Sequence, residues 1–453
     1  MCGGRMTVTS ITLRRARAGA FPTIVAVVAV GLAPSPVAAL PTSSPRFDHL
    51  AASSTDARIS FLLPGRMASS RLGGAAGSVL AVEVRDAATH RLVFSRGGTR
   101  GLRGASTAKL FTSAVALQTM GGDHRLVTWV RLGPISGTDG IRSATVSLVA
   151  GGDPLLASSD LDTLAQRTVA ALRSRGISKV SVTIDDTLFA PPTRPSGWPD
   201  SYGLDVVRPV RALVRDGRLL TDVSTDAGRY FTARVAARGA LGGPTVRASY
   251  GGRLHLSPAR PTLAATTGHT VEQSVRQMLL ESDNQIAEML FRLSALATGR
   301  SATWTGAQKT AMKVLGHLGV PLAGVRIIDG SGASRDSRLT ARALTIVLER
   351  AVDVRANPAL APLYVGRAMP VAARSGTLAE RFATTPSSCA AGKIVAKTGA
   401  LHDVQALSGV TTGTDGHLKA FAILLENPPL DRYSVSAVRV AIDGLAATIT
   451  GCW

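Results

Sequence analysis

The chain has 453 residues, 45% of them hydrophobic and only 4% aromatic, with a formal charge of +21. That length exceeds one simple core and implies two domains, or one domain with a large insertion. Few aromatics, and no basic run beyond the N-terminus, speak against a stacking platform for nucleic acid. A bias toward arginine is the simpler account of the charge; attraction to anionic polymers is the alternative.

In chain order, Arg14, Arg15 and Arg17 precede an uncharged run from Ala18 to Ala33, and Val37 and Ala39 are small residues at cleavage-site spacing. This is the pattern of an export signal over residues 1–39, cut after Ala39. The run is short for a membrane span and contains Pro22. Removing the signal takes away four arginines and Cys2, leaving a charge of +17 and two cysteines, Cys389 and Cys452. In an exported chain that pair predicts one disulfide. Residues 40–50 read as a Ser/Pro-rich linker.

The alternating "SVLAVEVRD" and the returning "RLVF" predict a strand pair, and a helix follows from about Ser106, with Leu110, Phe111, Ala114, Val115 and Leu117 on one face. Residues 126–265 alternate in type. Strands are predicted at "RLVTWVRLG", "IRSATVSLVAGGDPLL" and "KVSVTID", and helices at "DLDTLAQRTVAALRSRG" and "AGRYFTARVAARGALGG". These read as an inserted α/β domain, with residues 51–125 and 266–453 forming the host. From Thr270 helices dominate, and a polar break at Ser282–Asn284 separates two of them. The end of the chain predicts strands at "GKIVAKTGA", "VQALSGVTT" and "HLKAFAILLEN", then a helix with Val435, Val438, Ile442, Leu445 and Ile449 in phase.

Three short motifs carry chemistry. Ser106 and Lys109 stand at i, i+3, so their side chains share one helical face. A lysine whose pKa is lowered by burial or by a neighbouring cation can take a serine proton. An N-capping serine beside a solvated lysine would give the same letters. Ser282 and Asn284, two apart in a break between helices, can point into one cleft: a hydroxyl to pass a proton, an amide to hold an amide. In "VAKTGA", Lys397 supplies a cation, Thr398 a hydroxyl, and Gly399 room for a bound backbone along a strand edge.

Together, Ser-x-x-Lys, Ser-x-Asn and Lys-Thr-Gly are the signature set of penicillin-binding proteins and serine β-lactamases. With "GGDP", "DDTLF", "DGSGAS" and "GTLAERF", the chain resembles the type-4 low-molecular-mass penicillin-binding proteins, D-alanyl-D-alanine carboxypeptidases/endopeptidases. The resemblance covers nearly all of the mature chain. Two positions depart from the usual pattern: Gly104 stands where proline is usual, and Ala400 where threonine is frequent.

The resemblance implies a serine β-lactamase/transpeptidase-like α/β (α+β) fold, an antiparallel sheet flanked by helices, with the α/β insertion. It implies Ser106 as nucleophile, Lys109 as base and Ser282 as proton relay. Asn284, Lys397, Thr398 and Gly399 would bind substrate, and the backbone N–H groups of Ser106 and Ala400 would form the oxyanion hole. The substrate would be a peptidoglycan stem peptide and β-lactams covalent inhibitors, in an extracytoplasmic setting, with no cofactor or metal and no nucleic-acid partner. Anionic cell-wall polymers remain a further partner class. Two rival readings share the motifs: a serine β-lactamase, which would need a deacylating glutamate motif that the stretch between the second and third motifs lacks, and a non-catalytic wall-binding relative.

Overall fold

The structure is a computed structural model that describes residues 53–70, 72, 77–138 and 141–453. The expected signal (1–39) and linker (40–50) lie outside the described residues. Among those described, no helix is long and apolar enough to cross a membrane.

The chain begins with α1 (Ser54–Ser69) and the hairpin β1 (Val79–Asp86)–β2 (Leu92–Arg96). A 3-10 turn at Ala105–Ala108 runs into α2 (Lys109–Met120), followed by the short β3 (Arg125–Leu126). Next come β4 (Trp129–Ser136), β5 (Arg142–Val149), α3 (Ser158–Arg173), β6 (Ile177–Asp185), α4 (Val223–Gly239), β7 (Arg247–Arg253), β8 (Thr262–Ala265) and β9 (His269–Thr270). The helices α5 (Val271–Glu281), α6 (Asn284–Ala297), α7 (Trp304–His317), α8 (Ala341–Val352) and α9 (Ala361–Tyr364) precede β10 (Ile394–Leu401), β11 (Val404–Thr412), β12 (Leu418–Glu426) and α10 (Val435–Thr450).

The first sheet has the order β10-β11-β12-β1-β2 and is antiparallel throughout, with β1 against β12 in the register Val82↔Ile423. Its central strands β11, β12 and β1 are buried along most of their length because both faces are covered. Alternation then decides which core each side chain enters. Phe421, Ile423 and Leu425 pack with Ile59, Leu63, Val438, Ile442 and Leu445, the inner faces of α1 and α10. Ala420, Ala422 and Leu424 join the core of α2 and α8. That second core continues without a break through α5–α7 into the other sheet, where Val130, Val146, Leu148, Val182 and Ile184 are buried.

The second sheet, β7-β6-β5-β4-β8, is mixed. Its β5–β6 and β6–β7 pairs are parallel, and α3 and α4 are the crossover helices that such pairs require. At its base, β3 pairs with β9.

Five elements escape the sequence pattern: α1, which contains Pro64, the strands β7 and β8, and the short β9 and α9. In α10, Val438, Ile442, Leu445 and Ile449 are buried as expected, but Val435, in the first turn, lies 37% exposed beyond the edge of the packed face. Cys389 and Cys452 form the expected disulfide, tying the segment before β10 to the end of α10.

One buried charge fixes α1 to the sheet. Lys419 on β12 is fully buried, and its Nζ donates to Asp56 (2.7 Å), Asp86 (2.6 Å) and Asp415 (2.8 Å). His417 Nδ1 lies 2.9 Å from Asp86. The carboxylates of Asp86 and Asp415 together with His417 are close enough to hold a cation, and the ammonium of Lys419 supplies it.

Candidate active site

The three motifs, remote in the chain, meet. The 3-10 turn brings Ser106 and Lys109 into register, because residues three apart eclipse in that geometry. Lys109 Nζ stands 2.8 Å from Ser106 Oγ. The α-helix proper starts only at Lys109, three residues later than the sequence pattern implied.

Two glycines wedge this turn in place. A Cβ on Gly332 would sit 2.1 Å from the Ala105 carbonyl oxygen, and one on Gly399 would sit 2.4 Å from that of Gly104. The sequence reading gave Gly399 to a substrate backbone; the structure supplies a different reason for the glycine, the approach of the chain's own Gly104. Two non-glycine residues at the site hold left-handed backbone: Ala105 (φ 46°), beside Ser106, and Ser282 (φ 61°), at the end of α5. Such conformations cost about 1–3 kcal/mol each and persist where packing enforces them.

Lys109 is fully buried, and its Nζ has three partners: Ser106 Oγ, Asn284 Oδ1 at 2.6 Å and the Ser331 carbonyl at 3.2 Å. Burial pulls its pKa down to about 8, against the opposing pull of Glu288, Asp283 and Asp329. A neutral amine has two N–H donors and one lone pair. The two donors match Asn284 and Ser331, which leaves the lone pair for the hydroxyl of Ser106.

Asn284 opens α6, capped by Asp283, whose Oδ1 accepts from Ile286 N at 2.8 Å. Its amide is held at both ends, since Nδ2 donates to the Val206 carbonyl at 2.6 Å. Lys397 on β10 is also fully buried; its Nζ lies 2.9 Å from Ser282 Oγ and 3.0 Å from the Thr398 carbonyl. Burial first, then Lys109 and Arg381, push its pKa well below the ordinary lysine value. Burial is thus the main cause for Lys109, and the repulsion between the two lysines falls on Lys397. Thr398 Oγ1 meets Thr377 Oγ1 at 2.9 Å, which brings in the "GTLAERF" segment, and Ala400 is exposed beyond it.

Several participants were not singled out from the sequence. Glu288, one turn after Asn284, accepts from the backbone N–H groups of Gly330 and Ser331, both at 2.8 Å, and so aims the Ser331 carbonyl at Lys109. Burial and Asp329 push its pKa up to about 8, while those donors pull the other way. Asp329 gathers Ser334 N (2.7 Å), Gly332 N (3.2 Å) and Trp198 Nε1 (2.9 Å). Trp198 and Val206 come from the long loop after β6, so that loop braces both the "DGSGAS" segment and Asn284. A glutamate inside the apolar run "QIAEMLFRL" was the available signal for Glu288; nothing in the letters marked Val206, whose backbone does the work.

Comparison with known proteins identifies the family and the fold. The model of the D-Ala-D-Ala carboxypeptidase 3 (S13) family matches residues 67–241 and 217–449. The chain is 31% identical over 437 residues to carboxypeptidase DacB of Mycolicibacterium smegmatis, covering 94% of this chain and 90% of that protein. It is 29% identical to a D-alanyl-D-alanine carboxypeptidase of an Actinomadura species, over 81% of each. Among solved structures, penicillin-binding protein 4 of Haemophilus influenzae superimposes with a TM-score of 0.70 at 19% identity, over 84% of this chain and 97% of that one. A predatory peptidoglycan endopeptidase of Bdellovibrio bacteriovorus gives 0.51 at 15%, over 81% and 91%. The fold is therefore that of the penicillin-binding proteins, and the chain belongs to the D-Ala-D-Ala carboxypeptidase 3 (S13) family.

Proposed function

We propose that this chain is an exported serine D-alanyl-D-alanine carboxypeptidase/endopeptidase that cleaves peptidoglycan stem peptides through an acyl-enzyme and is acylated by β-lactams. The observation that carries the reading is the fully buried Lys109 Nζ, its pKa lowered to about 8, 2.8 Å from Ser106 Oγ. Relatives named as carboxypeptidases, and the Haemophilus protein solved with a β-lactam, point the same way. On this reading residues 51–125 and 266–453 are the catalytic domain and residues 126–265 an insertion that braces it.

Ser106 Oγ attacks the carbonyl between two D-alanine residues while its proton passes to neutral Lys109. The oxyanion is stabilised by the backbone N–H groups of Ser106 and Ala400, each such donor supplying on the order of 3 kcal/mol. Ser282 passes a proton to the departing amine, and Asn284 holds the peptide. Lys397 and Thr398 receive the terminal carboxylate. An arriving anion favours the charged form of Lys397, offsetting the burial that suppresses it in the free protein. Water then attacks the ester, the same base accepts its proton, and Ser106 is restored. The residual charge of +17 would draw the protein to anionic wall polymers, an attraction that added salt should weaken.

Labelling with a fluorescent penicillin tests the reading. The intact protein should carry one covalent label that Ser106→Ala abolishes. Absence of serine-dependent label would overturn it, and steady turnover of the penicillin in place of a lasting adduct would favour the β-lactamase.

A further inference from the structure

Helices cover the second sheet on one face only. Val146, Val180 and Val182 turn into the core shared with α3 and α4, and Ala248 packs against it. By alternation Thr145, Lys179, Ser181, Arg247 and Ser249 point the other way. Half of that other face is roofed by the segment after β7: Ser147 Oγ donates to the Leu254 carbonyl at 3.3 Å, and Arg131 to the Arg260 carbonyl at 3.1 Å. The half where β5, β6 and β7 begin is open. There Lys179, Arg247 and Ser249 are exposed, and Thr145 and Ser181 half-buried.

This open end is cationic. Arg142, Arg173 and Arg175 stand at its corner and serve the fold. Arg142 donates to the Arg175 carbonyl (3.0 Å), Arg173 to the Gly239 carbonyl (3.1 Å) and Arg175 to the Ala171 carbonyl (2.8 Å), answering the C-terminal ends of α3 and α4. Lys179 and Arg247 have no such use: neither side chain has a hydrogen bond or ion pair with a described residue. The register sets them opposite one another on neighbouring strands, about 4.8 Å apart, where like charges repel. No acid is at hand to relieve them. The sequence has none between Asp162 and Asp185 or between Asp226 and Glu272, and Asp139, the nearest to Arg142 along the chain, lies outside the described residues. Asp162 is taken by Arg234 (2.6 Å) and Arg238. Asp185 stands at the other end of β6, roughly 20 Å along the strand, and meets His255 at 2.9 Å. In the next row Thr145, Ser181 and Ser249 are register neighbours, and their hydroxyls have no partner among the described residues.

We propose that this open half of the sheet docks a hydroxyl-rich phosphodiester polymer of the cell wall, with Lys179 and Arg247 on its phosphates and the row of Thr145, Ser181 and Ser249 on its hydroxyls. The proposal rests on the attraction to anionic wall polymers stated above and places it on one face of the insertion. Two cations side by side suit the charged oxygens of a phosphodiester, which is anionic at every working pH. No aromatic side chain stands in either row to stack a nucleic-acid base. A protein held here on a polymer of the wall meets stem peptides at a raised local concentration.

The test measures binding of the protein to poly(glycerol phosphate), with polygalacturonate and an oligothymidylate of matched charge as the other arms, over a series of salt concentrations. Lys179→Gln combined with Arg247→Gln should weaken binding of poly(glycerol phosphate) about tenfold at low salt and flatten its salt dependence. Lys309→Gln combined with Lys313→Gln removes the same charge from exposed positions on α7 and should change binding by less than about twofold. Thermal unfolding checks that both variants fold. Equal losses in the two variants would show that net charge and not this face does the binding, and would overturn the proposal. So would no binding at all, or tighter binding of the carboxylate polymer or the oligonucleotide. Penicillin labelling is followed alongside and should be unchanged in both variants. A labelled protein that ignores the polymer sinks only the docking face, whereas a protein that binds the polymer and takes no label sinks the proposed reaction.

Discussion

Two regions of this molecule bury lysine head groups completely, and the surroundings drive them in opposite directions. Lys419 sits among Asp56, Asp86 and Asp415, and its carboxylate partners hold it charged, above the ordinary lysine value. Lys109 meets a hydroxyl, an amide oxygen and a carbonyl, with no carboxylate in contact, and burial brings it down to about 8. Burial alone does not make a base. What matters is whether the first contacts are anions or dipoles.

The sharpest way to break the comparison is to remove each ammonium. Lys109→Met should cut acylation by penicillin on the order of 10³-fold, the scale of losing a positioned base. It should leave the melting temperature level or slightly higher, since a poorly compensated buried amine is gone. Lys419→Met should do the reverse. Three carboxylates would lose their counter-charge, at about 3–5 kcal/mol of stability, while acylation by the folded fraction stays intact. Denaturant unfolding and labelling rates on both variants settle it; equal effects on stability would show that the two burials are alike.

Glu288→Gln sharpens the same contrast inside the site. The carboxylate holds the Gly330 and Ser331 N–H groups and also pulls Lys109 upward. Its loss should misplace the Ser331 carbonyl and slow acylation about ten- to a hundredfold, as misplaced catalytic groups do. The midpoint of the pH–rate profile should nevertheless move down. A merely structural role would lower the rate and leave that midpoint where it was.

The pH dependence follows from the same difference. Acylation should rise with pH and level off above about 8, as Lys109 becomes neutral. For stability the signs differ. The folded chain binds the Lys109 proton less tightly than the unfolded chain, so this group's contribution to stability grows as pH rises from about 8 to 10.5. Lys419 is raised above 10.5, so its contribution is complete below that value and is lost only as pH climbs beyond it. Comparing unfolding of Lys109→Met and Lys419→Met with the parent across that interval separates the two.

Much of this was legible in the sequence for a physical reason. Strand and helix periods are imposed by burial, so β1, β11, β12, α5–α8 and α10 announce themselves. Ser106, Lys109, Ser282, Asn284 and Lys397 are specific because their chemistry needs particular side chains at fixed local spacing. What stayed hidden depends on backbone or on distant packing. Val206 and Ser331 contribute carbonyls, which any residue has. The helix α1 carries Pro64 and a weak apolar stripe, and its anchor is Lys419 on β12, far along the chain. Val435 obeyed the helical period but lies in the first turn of α10, where the packed face has ended.

The smallest effect concerns the far end of the site, where neither lysine is touched. Thr377 Oγ1 and Thr398 Oγ1 are 2.9 Å apart, and the pair fixes the hydroxyl that lies 3.4 Å from Lys397 Nζ. Thr377→Val keeps the shape and removes one hydroxyl. The loss is one hydrogen bond in a half-exposed place, about 1 kcal/mol. Acylation by penicillin and the pH midpoint should hold, because Lys109 keeps all its partners. If Thr398 receives the terminal carboxylate as proposed, KM for a peptide with a free C-terminal carboxylate should rise about fivefold, because Thr398 is then freer to turn away from it. A change in the pH midpoint with KM unaltered would mean that the Thr377–Thr398 pair acts on the proton transfer at Ser106, and the division between a base held by dipoles and a carboxylate site held by Lys397 and Thr398 would have to be redrawn.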